Sequence, residues 1–293
     1  MYMNKLYKQS SYETIPFLAP LLETPNCPEE LYVKGVLPEI SIDTKVLTVV
    51  GSRKYTSYGK EVCQKLIAGL RGTDTIIVSG LALGIDGIAH RTALDAGLRT
   101  VAILGTGLSD KVMYPKTHLN LSREIVESGG ALISEYEQDA EARTYTFPAR
   151  NRICVGLAHA VLVVEAEEKS GTLITSKLAT DYNRDVLTVP GNIFSDTAKG
   201  PHMLIRLGAT PITSVDDLLE ALGHKKIGEE LQRELPLDIG ESEKKLLDIL
   251  YEPKSKDTLL AESGLTITET LMNISLLEIK GLVKEEMGVI RRC

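Results

Sequence analysis

The chain has 293 residues, 43% of them hydrophobic, which suits one large domain, or a large one plus a small one, around a substantial core. A net charge of −7 argues against a broadly basic nucleic-acid binder, and the lack of any run of 18 apolar residues argues against a membrane span. The opening MYMNKLYKQSSYE has no apolar centre of the signal-peptide kind, and Cys27, Cys63, Cys154 and Cys293 show no C-x-x-C pair or zinc spacing, so a cytoplasmic protein with reduced thiols and no bound metal is expected.

Short apolar runs alternate with amphipathic stretches, as in parallel strands buried on both faces and joined by helices. After a lead-in over residues 1–40, strands are predicted at 46–50 (VLTVV), 75–79 (TIIVS), 100–104 (TVAIL), 131–134 (ALIS), 160–166 (AVLVVEA) and 185–190 (DVLTVP). Helices are predicted at about 59–71, 85–96, 117–128, 149–157, 172–183 and 214–222. The pattern is that of a doubly wound α/β sheet filling residues 1–223. The polar stretch HKKIGEELQRELPLDIG, 224–240, carries a Pro and a closing Gly and predicts a linker. Residues 241–293 predict three helices and a β-ribbon, a small winged-helix-like domain. Its third helix, from Thr266 to Lys280, bears Glu269 and Glu278 against Lys280, and this tail has eight basic and ten acidic residues, which favours a protein contact or a structural role over groove reading.

Doubly wound sheets bind ligands outside the carboxyl ends of their strands, where loops and helix N-termini meet. The turns there are GSR, SGLALGID, GTGLSD, SEY, EAEEKSGTLIT and PGN, and nearly every one holds Gly, Ser or Thr. A phosphate loop for ATP is excluded, because seven residues separate Gly51 from Gly59 and Glu61 stands where a hydroxyl belongs. The dinucleotide fingerprint also fails, with Asp110 in place of its third glycine, so no cofactor is expected. Charge is distributed unevenly. Residues 44–60 contain Lys45, Arg53, Lys54 and Lys60, residues 142–164 contain Arg143, Arg150 and Arg152, and neither stretch has an acidic residue.

In RTYTFPARNRICVGLAHAV, arginines interleave with Tyr145 and Phe147, a combination that grips single strands by stacking bases and neutralising phosphates. The same residues also suit a hydrophobic staple and a solvated helix start. Two arginines in an N-terminal turn are unusual, since the helix dipole is already positive there, and a nearby anion would account for them. Lys169 with SGTLIT forms a hydroxyl-rich helix start suited to phosphate or carboxylate, although Thr172 serves equally as an N-cap. The five histidines show no metal spacing. Glu135 and Glu165, at strand ends, are either a catalytic pair or, as the better reading, carboxylates that orient Arg53 or Arg150.

The series LYVKG, VVGSR, IIVSGLALGIDGIAHRTAL, TVAILGTGLSDKVMYPKTH, GALISEY, FPARNRICVGLAHAVLVVEA, SGTLIT, NRDVLTVPGNIF and GPHMLIRLGATPI resembles, in unbroken order, the DprA/Smf family of DNA-processing proteins of natural transformation. The resemblance implies an extended Rossmann-like domain that binds single-stranded DNA without sequence preference, forms homodimers and helps load the RecA recombinase, with no catalytic residue. It implies DNA contacts at Arg53, Arg143, Phe147, Arg150, Asn151 and Arg152, with Gly51, Ser52, Ser79 and Gly80 lining the site. Lys169, Ser170, Gly171 and Thr172 are grouped with them as the hydroxyl-rich loop. Apolar helices within 158–222, such as TLITSKLAT, suit isologous pairing. An alternative of another class is a LOG-type nucleoside-monophosphate phosphoribohydrolase, whose P-G-G-x-G-T-x-x-E loop is faintly echoed by KSGTLITSK, without the glutamate that hydrolysis requires.

Overall fold

The computed structural model describes residues 4–168, 170–224, 240–250, 254–280, 282–286 and 289–292. The centre of the first unit is a parallel sheet of β3 (Lys45–Val50), β4 (Thr75–Ser79), β5 (Arg99–Leu104), β6 (Ala131–Ser134), β7 (Ala160–Val163) and β8 (Asp185–Thr188), with the short β9 (Thr210–Pro211) at one edge. The order is β1-β2-β6-β5-β4-β3-β7-β8-β9, where β1 is Lys5–Lys8 and β2 is Glu30–Gly35. Between the strands run α1 (Ser57–Ala68), α2 (Ile85–Asp95), α3 (Leu119–Glu127), α4 (Thr146–Leu157), α5 (Gly171–Asp181) and α6 (Lys199–Arg206), and α7 (Val215–Ala221) follows β9.

Successive strand residues face opposite sides, so each apolar run feeds two cores. Leu47, Val49 and Ile77 pack with Leu66 of α1, Ala89 of α2 and Leu218 of α7, whereas Val46, Ile76 and Val78 pack on the other face with Ile153 of α4. The lead-in completes that second face. Tyr12, Leu18 and Leu21, held in short 3-10 turns, are fully buried there.

Two features differ from the sequence expectation. The sheet is mixed, because β2 pairs antiparallel with β6, and β1 pairs antiparallel with β2. Only alternate residues of β2 are buried, so it lacks the continuous apolar run that marked the central strands. Helix α6 was also not predicted: KGPHMLIR carries Gly200 and Pro201 in its first turn, where proline is tolerated because its missing N–H has no partner to lose.

The chain divides into two compact units, residues 1–226 and 227–293. The second contains α8 (Glu241–Ile249), α9 (Lys256–Ser263) and α10 (Ile267–Ile279) with an antiparallel sheet ordered β10-β12-β11, from β10 (Lys254–Ser255), β11 (Val283–Glu286) and β12 (Val289–Arg292). Its own core includes Leu246, Leu259, Leu277 and Ile290. Of the predicted linker, residues 225–239 lie outside the described residues, and His224 is bonded to Thr75 Oγ1 at 2.8 Å.

Candidate nucleic-acid interface

From β3, the strands β4, β5 and β6 extend to one side of the sheet and β7, β8 and β9 to the other. A crevice opens at the carboxyl ends where this order reverses. It is a cleft of about 560 Å³, walled by the turn after β3, the turn before α2, the first turn of α4 and the start of α5.

The turn after β3 is closed by a serine. Ser52 Oγ accepts from the Lys54 N–H at 3.0 Å and donates to the Lys54 carbonyl at 2.8 Å, leaving the Arg53 and Lys54 side chains exposed on the wall. Gly51 permits the backbone to pass against α2, since a β-carbon there would meet Ile85 at 2.6 Å. Across the cleft, Ser170 caps α5 by accepting from the Thr172 N–H at 3.1 Å, and Thr172 Oγ1 donates to the Gly51 carbonyl at 3.4 Å. The start of α4 is shaped by Thr146, which accepts from the Arg143 N–H at 3.2 Å and donates to the Arg143 carbonyl at 2.8 Å. Phe147 follows it into the cleft. The Arg53 guanidinium lies 5.5 Å from the Phe147 ring centre, within cation–π range. The Tyr114 ring is 5.6 Å away on a plane tilted by 50°.

Beneath this surface, Arg150 acts as a brace. Its buried guanidinium donates to the carbonyls of Gly80 and Ile103, lies 3.6 Å from Asp86 Oδ2, and through Nε donates to Asn151 Oδ1 at 2.8 Å. Asn151 in turn donates to Thr175 Oγ1 at 2.9 Å, joining α4 to α5. Asp86 accepts from the N–H groups of Gly80 at 3.2 Å and Ala82 at 3.4 Å. Burial pushes the Asp86 carboxyl up, with Arg150 and those amides opposing.

Of the expected site residues, Gly51, Ser52, Arg53, Phe147, Arg150, Asn151, Ser170, Gly171 and Thr172 are brought together as lining of the cleft. Gly80 lines an adjoining notch. Ser79 is buried, donating to the Val49 carbonyl at 2.6 Å. Arg143 and Tyr145 are exposed outside the lining, where the guanidinium donates to the phenol oxygen at 3.3 Å. Arg152 also lies outside it and pairs with Glu135. Lys169 falls outside the described residues.

The carboxylates play roles other than those expected. Glu165 accepts from the Thr56 N–H and hydroxyl, at 2.9 and 2.6 Å, and from Thr197 at 3.0 Å, so it fixes the cap of α1 rather than Arg53 or Arg150. Asp86 is the partner of Arg150. Among the described residues no group of three or more His, Cys, Asp or Glu side chains is placed to hold a metal ion. Among the described residues the cleft offers two exposed cations, an aromatic ring and the positive ends of α4 and α5, and is suited chemically to a phosphate carrying a flat ring.

A family model described as DNA recombination-mediator protein A matches residues 6–223. The chain belongs to the DprA/Smf family. Protein Smf of Escherichia coli strain K12 is 40% identical over 220 residues, covering 73% of this chain and 58% of that protein. DNA processing protein DprA of Bacillus subtilis strain 168 is 35% identical over 226 residues, 75% of each chain. Among solved structures, DprA from Streptococcus pneumoniae matches with 36% identity and a TM-score of 0.63, covering 75% of this chain and 74% of that one. DNA processing protein A from Helicobacter pylori, described with a unique single-stranded DNA binding mode, matches with 26% identity and a TM-score of 0.64 over 75% of this chain and 96% of that one. No helix among the described residues is long and apolar enough to cross a membrane.

Sequence reasoning passed over Lys54, Asp86 and Tyr114 as site residues. Lys54 stood in the first positive island. Asp86 carried a weaker signal, as the only carboxylate in SGLALGID, and Tyr114 had none beyond its place after a glycine-rich turn.

Proposed function

We propose that the cleft binds single-stranded DNA without sequence preference, with a backbone phosphate at Arg53 and an unpaired base against Phe147, and that the protein works by binding rather than by catalysis. The observation that carries this reading is the exposed Arg53 guanidinium resting over the Phe147 ring at the cleft wall. Backbone charge and a ring face recognise any base, because every base has a π-face and every nucleotide a phosphate. The single-strand binding described for the Helicobacter pylori relative supports the choice of polymer. The recombination-mediator description of the family supports a further step, in which a homodimer protects the strand and passes it to the RecA recombinase.

A salt-resolved titration of a labelled mixed-sequence strand separates the two contacts. Arg53→Ala should weaken binding to every sequence alike and flatten the log–log salt slope by about 0.7, the single-strand value for one phosphate contact. Phe147→Ala should cost about 1–3 kcal/mol with the slope nearly unchanged. If Arg53→Ala alters neither affinity nor slope, the turn does not hold DNA. Release of adenine from AMP by the intact protein would instead favour the hydrolase reading.

A further inference from the structure

Phe147 and Arg53 each line two spaces. On one side is the large cleft, and on the other is a notch whose far wall is Leu83, Tyr114 and Pro115. Phe147 is thus a partition, with the Arg53 charge above it and the Tyr114 ring beside it. Tyr114 is 49% exposed and Leu83 44% exposed, an aromatic and an aliphatic surface held open next to a cationic group. The notch itself holds only about 20 Å³. That is room for a water molecule and not for a base, so a flat ligand here lies across its mouth, against Tyr114.

We propose that Tyr114 and Leu83 form a second base platform, so that the site engages two consecutive nucleotides. One base enters the cleft against Phe147, the phosphate between the two nucleotides meets Arg53, and the next base lies across Tyr114 and Leu83. Stacking on a phenol and contact with a leucine read no base edge, so the platform keeps the site tolerant of sequence. The inference rests on the single-strand reading of the cleft and adds the number of nucleotides bound and the side on which the strand leaves.

The test compares two probes, labelled oligo-dT followed by anisotropy and thymidine 5′-monophosphate followed by calorimetry. Tyr114→Leu, which keeps bulk and removes the ring, should weaken oligo-dT by roughly 5- to 150-fold, the equivalent of one lost stack. It should leave the monophosphate affinity as in the wild type, and Tyr114→Phe should leave both unchanged. Leu83→Ser, on the far wall and exposed, should also weaken oligo-dT alone, which keeps the test open if the tyrosine variants melt early. Wild-type oligo-dT affinity in Tyr114→Leu and Leu83→Ser, with Phe147→Ala still impaired, overturns the second platform and leaves the cleft reading standing. Equal weakening of both probes by Tyr114→Leu also overturns it, since Tyr114 would then act only by holding Phe147. A wild-type protein that binds no oligo-dT at all overturns the cleft reading itself.

Discussion

A β-carbon added to Gly80 would stand 1.8 Å from the guanidinium carbon of Arg150, so the first turn of α4 is seated against a backbone that only glycine can provide. Gly80→Ala must displace a buried cation from two carbonyls and Asp86, and it should destabilise the protein by at least about 1–3 kcal/mol, the range for overpacking a core. Denaturant melting checks this, and an unchanged midpoint would contradict the brace. His90 gives a pH prediction. Burial chiefly, with the nearby charges of His118 and Arg150, pushes its pKa from 6.5 down to about 3, and Nδ1 bonds with Thr100 at 2.7 Å. Below pH 6.5 the unfolded chain therefore binds a proton that the folded chain refuses, so stability falls as pH drops from 6.5 toward 3, and nothing is lost above 6.5. His90→Gln should flatten the melting temperature between pH 6.5 and about 5 relative to wild type, whereas parallel curves would show that His90 is not the titrating group. Phe147 was legible as an aromatic among the arginines of its own segment and Arg53 as a cation in a separate positive stretch, but that the two meet was not. Nor was the burial of Arg150, because its partner Asp86 sits in the first turn of α2, far away in sequence, and nothing local to FPARNR distinguishes an inward arginine from an outward one.

At the scale of elements, α7 shows how a helix of seven residues is made to start in one place. Ser214 accepts from the Asp217 N–H at 3.1 Å, while Asp217 accepts from Thr213 Oγ1 at 2.6 Å, the Thr213 N–H at 2.8 Å and the Ser214 N–H at 3.0 Å. Those bonds, from Thr213 first and then Ser214, hold the Asp217 carboxyl down to about 2. Its contribution is complete above the ordinary value of 3.8 and is lost as pH falls toward 2. Ser214→Ala should cost about 0.5–2 kcal/mol in thermal or denaturant melting, with no effect on DNA binding, since α7 packs on the core remote from the cleft lining. The central strands were legible because both faces are buried and each reads as a continuous apolar run. Strand β2 was hidden by its alternation, and the 3-10 turns that bury Tyr12 and Leu18 have no period to read. Cys63 and Cys154 were expected as core or surface thiols. They are core, and burial pushes both up to about 12.

At the scale of the molecule, every described residue lining the cleft belongs to the first unit, and the second unit has its own apolar core. A chain ending after residue 224 should therefore bind single strands with wild-type affinity, and a large loss would place part of the binding surface in the second unit. The acidic total conceals the local charge of the cleft, where Arg53 and Lys54 stand exposed on one turn. Those cations alone would give a single strand no advantage over a duplex, whose charge density is higher, so under the proposed reading a preference for the single strand must come from the ring faces. The most direct measurement is the affinity of the intact protein for a mixed-sequence single strand against a duplex of the same length and sequence at one salt concentration. A base stacked on Phe147 must be unpaired, and one such stack, at about 1–3 kcal/mol, predicts a preference for the single strand of at least about fivefold. Equal affinity for the two would contradict the account.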